Sequence, residues 1–243
     1  MTFFFSENAF LLIKKKRAGL MIAIILAGGK SSRLNIGTDE ENEKALVKIG
    51  KRGNQKRLLD MVVETVRESN VEDFFVAVTK NTPKTEEYCQ LVNYKILGTP
   101  GGGYHEDLWY LLLRYPEFVS VACDIPFLKS EHINAILAAY LAHNPRISVT
   151  GAVPLSMLPK SITPSYTFEH DGKKLVSCGI NVVTNSKDSI PFIFDDPLLA
   201  ININTDADLR VARSMVARKE NKMCEKEMSL KERIGKFKNA QKE

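Results

Sequence analysis

Short apolar runs alternate along the chain with longer segments in which apolar residues recur at helical spacing. Residues 22–26 and 74–78 carry no polar alternation, which is typical of strands buried on both faces of a parallel sheet. Residues 57–68 place apolar side chains three and four positions apart, which predicts an amphipathic helix. The pattern predicts strands at 22–26, 47–49, 74–78, 95–97, 118–123, 147–153 and 179–183, and helices at 57–68, from 82 onward, 107–114, 130–143 and 205–216.

This alternation of strands and helices predicts right-handed βαβ units, so the expected fold class is α/β with a mostly parallel central sheet. From residue 162 the segments become shorter and more polar, and a turn at 169–172 predicts an antiparallel excursion that covers the site. Thr205 with Asp208 three residues later predicts a capping box. Ligands of such sheets bind at the carboxyl ends of the strands, so the loops there are the candidate site.

The first predicted strand leads into a glycine loop, Leu-Ala-Gly-Gly-Lys-Ser-Ser-Arg. Glycines permit a close approach of the backbone to a ligand, so successive N–H groups can converge on phosphate oxygens. Lys30 adds positive charge, and the forked guanidinium of Arg33 can bind two phosphate oxygens. The glycine spacing fits neither a P-loop nor a Rossmann turn. We therefore predict a phosphate site, with a plain structural turn as the alternative, formed by Leu26, Ala27, Gly28, Gly29, Lys30, Ser31, Ser32 and Arg33.

Asp124 follows another predicted buried strand and precedes Ile-Pro, so its carboxylate should emerge at the same edge of the sheet. A hard carboxylate at this place suits Mg²⁺, which takes one or two protein carboxylates together with substrate phosphates. The alternative is that Asp124 only caps the turn before Pro126.

A second glycine-rich loop, residues 98–103, precedes a predicted helix. Its glycines allow close approach to a flat base or a ribose, and we predict nucleotide contacts from Gly101 and Gly103. Glu106 or Asp107 could accept a hydrogen bond from a guanine edge, and Asp107 is our candidate. Alternatively, the two acids only complement the helix dipole.

The pattern Leu-Ala-Gly-Gly, three residues, then Arg-Leu resembles the signature loop of nucleotidyltransferases that share the GT-A-like, Rossmann-like fold. The resemblance implies a three-layer α/β architecture. It also implies that Lys44 contacts the nucleotide phosphates, where the alternative is a solvated lysine. Related enzymes present an Asp or Asn from a late strand, which implies Asn181 as a second metal-side ligand; the alternative is an asparagine bonded to neighbouring backbone.

Four further segments narrow the resemblance. Asn-Thr-Pro-Lys-Thr at 81–85, Gly-Tyr-His-Glu-Asp-Leu at 103–108, Ile-Asn-Val-Val at 180–183 and Asn-Ile-Asn-Thr at 202–205 together resemble the archaeal GTP:adenosylcobinamide-phosphate guanylyltransferases. The resemblance runs from about residue 21 to 217. It implies transfer of GMP from GTP to adenosylcobinamide phosphate, giving adenosylcobinamide-GDP and pyrophosphate in cobamide assembly.

The same resemblance assigns roles to individual residues. Arg33 and the loop backbone would hold the triphosphate, Lys44 would neutralise the phosphate under attack, and Mg²⁺ at Asp124 would bridge it. The loop after the strand 74–78, with Thr79, and the second glycine loop would select the base. The acceptor is already a phosphate anion, so the reaction needs no general base. The alternatives are a molybdenum-cofactor guanylyltransferase, a sugar-phosphate nucleotidyltransferase, or a non-catalytic GTP-binding regulator.

The composition limits the domain size, the ligand class and the compartment, but it indicates no particular reaction. With 243 residues, 44% of them hydrophobic and 26% charged, the chain is long enough for one large α/β domain, expected at 21–217 between an extension at 1–20 and a charged tail at 218–243. The net charge of +5 argues weakly for anionic ligands and hardly at all for nucleic acid, which we do not expect as a ligand. The four cysteines lack metal-binding spacing and fit a reducing compartment. We expect a cytoplasmic protein without a membrane span, with GTP and a corrinoid phosphate as ligands and a homodimer as a candidate assembly.

Overall fold

The computed structural model describes residues 21–31, 33–34, 43–51, 53–159 and 162–218. Ser32, the predicted extension at 1–20 and the tail from residue 219 onward lie outside the described residues. Every helix in the described ranges is too short or too polar to cross a membrane.

The described chain folds into strands and helices in the order expected from the apolar pattern. The strands are β1 (Ala23–Leu26), β2 (Lys48–Ile49), β3 (Lys56–Arg57), β4 (Phe74–Val78), β5 (Ile96–Gly98), β6 (Glu117–Ala122), β7 (Ser148–Pro154), β8 (Thr167–His170), β9 (Lys173–Thr184) and β10 (Ser189–Ile193). The helices are α1 (Leu58–Arg67), α2 (Pro83–Leu91), α3 (Tyr104–Leu112) and α4 (Ser130–Ala142). A further helix, α5, covers residues 206–218, and single 3-10 turns occupy Lys44–Leu46, Leu155–Met157 and Pro197–Ala200.

Eight of the described strands form one sheet, in the order β10-β7-β9-β6-β1-β4-β5, with β8 paired to β9. The strands β6, β1, β4 and β5 are mutually parallel, whereas β9 is antiparallel to both of its neighbours β6 and β7. The expectation of a mostly parallel central sheet is confirmed. The carboxyl ends of β1, β4 and β6 therefore meet at one edge of the sheet.

Helices cover both faces of the sheet, which gives the expected three layers. One face packs against α1, α2 and α4, and its core includes Ile25, Val76 and Val121. The other face packs against α3, with Ile24 and Phe118 in its core. Adjacent residues of β1 thus point to opposite cores, which is why this strand shows no polar alternation. Each fully buried aliphatic side chain stabilises the fold by about 1.5–3 kcal/mol relative to exposure.

Two elements differ from the sequence expectation in a way that matters for the site. Helix α3 begins at Tyr104, three residues before the predicted start at 107, because Gly103 with φ +127° serves as its N-cap. Strand β9 begins at Lys173 rather than 179 and passes through Gly179 at φ +72°. The earlier start of α3 places Tyr104 on the helix and beside the ligand edge of the sheet.

Candidate active site

A cleft of about 440 Å³ lies at the carboxyl ends of β1, β4 and β6. It is where the βαβ topology predicts a ligand. Ten of the residues proposed from the sequence line it: Leu26, Ala27, Gly28, Gly29, Lys30, Lys44, Gly101, Gly103, Asp107 and Asp124. Gly28 and Gly103 are 75 residues apart in the sequence. The two glycine loops to which they belong nevertheless face the same cleft.

The first glycine loop is held by the turn that follows β4. A Cβ atom at Gly28 would lie 2.3 Å from Thr79 Cγ2, and the Thr79 hydroxyl donates a hydrogen bond of 2.9 Å to the Gly28 carbonyl. Ser31 adopts φ +52°, and its hydroxyl accepts a hydrogen bond of 3.0 Å from the backbone N–H of Lys44. Thr79 and Ser31 thus shape the loop from outside the lining of the cleft.

Lys44 is the centre of the polar cluster at the far side of this loop. Its ammonium donates hydrogen bonds of 2.8 Å to Asp124 Oδ2 and 2.8 Å to Asn204 Oδ1. The side chains of Lys44 and Asp124 are only 19% and 12% exposed, so the charges interact with little solvent screening. The amide of Asn202 donates to the other Asp124 oxygen at 3.2 Å.

The backbone fixes the segment that brings the two asparagines to Asp124. The N–H of Ile203 donates to the Asp124 carbonyl at 3.0 Å, so the segment 202–204 runs beside the end of β6. The N–H groups of Asn204 and Thr205 both donate to Asp208 Oδ2, and Asp208 N–H donates to the Thr205 hydroxyl. The capping box expected from the sequence is therefore present.

Lys44 itself is placed by its neighbour. Glu43 is 7% exposed, and its carboxylate accepts hydrogen bonds from the backbone N–H groups of Lys84 at 2.9 Å and Thr85 at 2.6 Å. These are N–H groups of the first turn of α2, which have no partner within the helix. Glu43 thus joins the lysine of the cluster to the helix that follows the β4 loop.

The second glycine loop is closed by polar contacts of its own. Gly101 adopts φ +77°, and its N–H donates 2.8 Å to Asp107 Oδ1, while its carbonyl accepts from Asn81 Nδ2 at 3.4 Å. Asn81 N–H in turn donates to the Thr79 hydroxyl. One oxygen of Asp107 is therefore engaged in shaping the loop, and a direct base contact by its carboxylate stays a prediction.

Two further predicted residues, Asn181 and Arg33, lie outside the lining of the cleft. Asn181 does not contact Asp124: its amide donates to the Tyr104 hydroxyl at 3.0 Å and to Ser120 Oγ at 3.3 Å, because β9 directs it toward α3. Geometry therefore gives no support to Asn181 as a metal ligand, and Asn204 stands beside Asp124 instead. Arg33 is exposed and outside the lining of the cleft.

Sequence reasoning did not single out Glu43, Asn202 or Asn204. Glu43 ends a largely acidic run, residues 39–43, and belongs to none of the motifs that marked the site. The two asparagines belong to Asn-Ile-Asn-Thr, which was used only to carry the family resemblance. The signal that could have found the two asparagines is an amide pair next to a capping box, directly before the last helix of the described residues.

Comparison with known proteins decides the family. The model of the MobA-like NTP transferase domain matches residues 23–164, which is more than half of the chain. The chain belongs to the MobA-like NTP transferases. A curated relative, the adenosylcobinamide-phosphate guanylyltransferase of Methanocaldococcus jannaschii, is 34% identical over 206 residues, covering 81% of this chain and 97% of the relative.

Solved structures with low sequence identity share the fold. A putative glucose-1-phosphate thymidylyltransferase from Bacillus anthracis superposes with a TM-score of 0.61 at 13% identity, covering 81% of this chain and 95% of that one. A CMP:2-keto-3-deoxy-manno-octonic acid synthetase complexed with CTP superposes with a TM-score of 0.56 at 14% identity, covering 82% and 98%. The expected GT-A-like nucleotidyltransferase fold is confirmed, and as a member of this family the chain is a nucleotidyltransferase.

The donor set of this MobA-like site fits a hard divalent cation. Asp124 Oδ2 and Asn204 Oδ1 converge on one point, where the Lys44 ammonium now provides the positive charge. Asn202 Oδ1 is buried and has no hydrogen-bond partner among the described residues. The described residues hold no group of three or more His, Cys, Asp or Glu side chains that could bind a metal. A single carboxylate with amide oxygens suits a cation that takes its other ligands from phosphates and water.

Cys123 also lines the cleft, next to Asp124. Burial raises the pKa of its thiol to about 12, so the thiol stays protonated near neutral pH. A protonated thiol is a poor nucleophile. Cys123 is therefore not activated as a nucleophile, and the charged groups of the cleft fit the positioning and charge stabilisation that phosphoryl-type transfer requires.

Proposed function

We propose that this protein transfers GMP from GTP to adenosylcobinamide phosphate and releases pyrophosphate. The observation that carries nucleotidyl transfer is the cluster of Lys44, Asp124 and Asn204 at the end of the glycine loop. The acceptor is supported by the curated relative, which is named for adenosylcobinamide phosphate and is matched over 97% of its length. We propose residues 21–217 as the catalytic domain and, because GTP is the donor, the cytoplasm as the place of reaction.

In this reaction a phosphate oxygen of the acceptor attacks the α-phosphorus of GTP, and the bond to the β-phosphate oxygen breaks. The acceptor oxygen is already anionic, so no proton has to be removed. In this proposal Lys44 neutralises charge on the α-phosphate, and the glycine loop with Lys30 holds the departing β- and γ-phosphates. Arg33 keeps the same role from the sequence alone, because it lies outside the lining of the cleft. The protein thereby offsets the repulsion between two anions, which positioned cations do well in a cleft sheltered from water.

We further propose that Asp124 and Asn204 hold Mg²⁺. Mg²⁺, when bound, would neutralise charge on the triphosphate and on the pyrophosphate that leaves. Lys44 contacts both oxygens in the structure, so its ammonium would move toward the phosphates when the nucleotide arrives. Asn181 remains a candidate from the sequence alone, but its hydrogen bonds to Tyr104 and Ser120 favour Asn204 for this role.

The test incubates the purified full-length protein with GTP and adenosylcobinamide phosphate and follows pyrophosphate release. Molybdopterin and a sugar 1-phosphate serve as the competing acceptors. We expect turnover with adenosylcobinamide phosphate alone; turnover with molybdopterin and none with adenosylcobinamide phosphate would overturn the acceptor assignment. GTP binding without turnover on any acceptor would favour a regulator.

The Asp124→Asn variant tests the site itself. We expect kcat to fall by about 100-fold or more, the usual scale for losing one charge-stabilising group. Asp188→Asn is the matched control, because Asp188 is an exposed carboxylate outside the cleft. Full activity of Asp124→Asn would contradict the proposed metal site.

A further inference from the structure

A pair of buried polar side chains interrupts an otherwise apolar core. Ser120 on β6 and Asn181 on β9 are paired across the two strands and are 0% and 8% exposed. They lie on the sheet face that packs against α3, among side chains such as Ile24 and Phe118. Burying polar groups destabilises a core unless they are hydrogen-bonded. The pair therefore calls for a physical reason.

The contacts of the pair supply one. Asn181 Nδ2 donates to Ser120 Oγ at 3.3 Å and to the Tyr104 hydroxyl at 3.0 Å. Burial raises the pKa of the Tyr104 hydroxyl, while the hydrogen bonds with Ser120 and Asn181 lower it, and the net pKa is raised. The hydroxyl is thus a neutral group held against the sheet.

The rest of Tyr104 faces the cleft. Tyr104 is the first residue of α3, it follows Gly103 at φ +127°, and it lines the cleft with 49% of its surface exposed. Its hydroxyl is hydrogen-bonded with Asn181 and with Ser120, which lies two residues before Ala122 on β6. The hydroxyl is held by hydrogen bonds while the ring is exposed to the cleft, so the ring is a preorganised binding surface.

The cleft has two chemically different ends. Lys30, Lys44 and Asp124 provide charge at one end, which suits a triphosphate with its cation. Leu26, Ala77 and Ala122 provide an apolar floor, which cannot take phosphates but suits the flat, weakly polar faces of a nucleoside. Tyr104 lies above the strand that carries Ala122, at this apolar part of the cleft.

We propose that Tyr104 is the aromatic wall against which the nucleoside of the bound nucleotide packs, and that Asn181 and Ser120 hold its ring in place. Asn181 is then a positioning residue of the nucleotide site, which acts through Tyr104. This inference rests on the proposed function in one respect, that the nucleotide is GTP. Aromatic side chains that contact bases contribute substantially to affinity.

The test measures GTP affinity directly, by calorimetry without acceptor, for Tyr104→Phe, Asn181→Leu and the double variant. Tyr104→Phe removes the hydroxyl that ties the ring to the sheet, and Asn181→Leu removes one of the two partners of that hydroxyl, so we expect the Kd for GTP to rise by up to about 3- to 10-fold, and more in Tyr104→Phe. The double variant should bind no more weakly than Tyr104→Phe, because Asn181 acts only through the Tyr104 hydroxyl. Tyr110→Phe, an exposed tyrosine of the same helix, is the control.

The same variants separate positioning from a merely structural role. In turnover assays we expect KM for GTP to rise with Kd while kcat stays within about twofold, because the charged cluster is intact. Adding Ser120→Ala to the double variant removes the last polar side chain of the group, so thermal stability should recover relative to the single variants, since none of the three is then left unpaired. The lower GTP affinity should persist in this triple variant despite the restored stability.

Three results would overturn the proposal. One is unchanged GTP affinity in Tyr104→Phe, and another is a double variant whose loss is the product of the two single losses. The third is an Asn181→Leu protein that binds Mn²⁺ more weakly than the wild type, measured by electron paramagnetic resonance, while Tyr104→Phe binds it normally. That result would make Asn181 a metal ligand rather than a positioning residue. If the wild type bound another nucleoside triphosphate and not GTP, the proposed function would fail, and the same variants titrated with that nucleotide would still decide the role of Tyr104.

Discussion

Gly28 and Gly29 are neighbours in the first loop, yet only one of them lacks room for a side chain. A Cβ at Gly28 would lie 2.3 Å from Thr79 Cγ2, whereas a Cβ at Gly29 would meet nothing within 4 Å. Thr79 cannot move aside easily, because it is β-branched, 4% exposed and hydrogen-bonded to the Gly28 carbonyl. The loop and the β4 turn are therefore fitted to each other at Gly28.

This contact predicts different effects of the same change at the two glycines. Gly28→Ala should lower the free energy of unfolding by about 1–3 kcal/mol, the usual effect of overpacking. Gly29→Ala should change it by less than about 0.5 kcal/mol. Urea denaturation of both variants measures the difference. Equal unfolding free energies would show that Thr79 yields to the new methyl group.

The position of the Lys44 side chain suits a compact ammonium group. Its ammonium is 2.8 Å from both Asp124 Oδ2 and Asn204 Oδ1. Lys44→Ala should lower kcat by about 100-fold, and Lys44→Arg should rescue little, because the planar guanidinium does not fit a site shaped for an ammonium. Pyrophosphate release measures both, with the exposed Lys56→Ala as control. An arginine variant with near wild-type kcat would contradict the geometric part of this argument.

At the scale of elements, Glu43 acts as the N-terminal cap of a helix to which it does not belong. Its carboxylate accepts the Lys84 and Thr85 N–H groups at the start of α2. Glu43→Ala should lower the free energy of unfolding by about 1–2 kcal/mol, the usual range for a lost cap. Chemical denaturation measures this loss.

The same variant should also lower kcat, because the turn that carries Lys44 loses its attachment to α2. The control is Glu86→Ala, an exposed acid in the first turn of the same helix. A stable Glu43→Ala protein with wild-type kcat would show that Lys44 is placed by its other contacts alone.

The apolar pattern predicted the buried elements well and the exposed ones poorly. Strand β4 was predicted with its observed bounds, because a run buried on both faces has no competing interpretation. Strand β10 was missed: it lies at the edge of the sheet, where Pro191 is tolerated although proline normally argues against a strand. The start of α3 was predicted too late, because the cap is a glycine rather than Ser, Thr, Asp or Asn.

At the scale of the whole molecule, the site is assembled from distant parts of the chain. Lys44 is 80 residues from Asp124 and 160 residues from Asn204. The sequence predicted Lys44 and Asp124 because each follows a recognisable pattern, a signature loop and a buried strand. It named Asn181 as the second metal-side ligand and did not single out Asn204, because the direction in which each segment faces is set only in the folded sheet. Only the tertiary structure shows that Asn204 belongs to the charged cluster and that Asn181 lies beneath Tyr104.

The pH dependence of folding is another property of the whole molecule, and we expect His132 to contribute to it. His132 at the start of α4 is 8% exposed; its Nδ1 accepts the Lys129 N–H, and its Nε2 lies 3.4 Å from Asp196. Burial lowers the pKa of His132 below 6.5, and repulsion by Lys129 adds to this, although Asp196 and Glu131 oppose it. The native state thus favours the neutral imidazole.

The sign of the effect follows from proton binding. Below pH 6.5 the unfolded chain takes up a proton at this histidine before the folded chain does, so stability is full above that pH and falls as the pH drops. Burial raises the pKa of Asp196, but the hydrogen bond and charge of Lys129, together with the Leu198 N–H and His132, outweigh it and lower the pKa, so its contribution is lost only at more acid pH, below 3.8. Between pH 7 and 5, His132→Gln should therefore show a shallower fall in unfolding free energy than the wild type, by at most about 1.4 kcal/mol per pH unit. Urea denaturation at each pH measures the unfolding free energy, with His143→Gln at the end of the same helix as control. Parallel curves for the wild type and His132→Gln would assign the acid sensitivity to other groups.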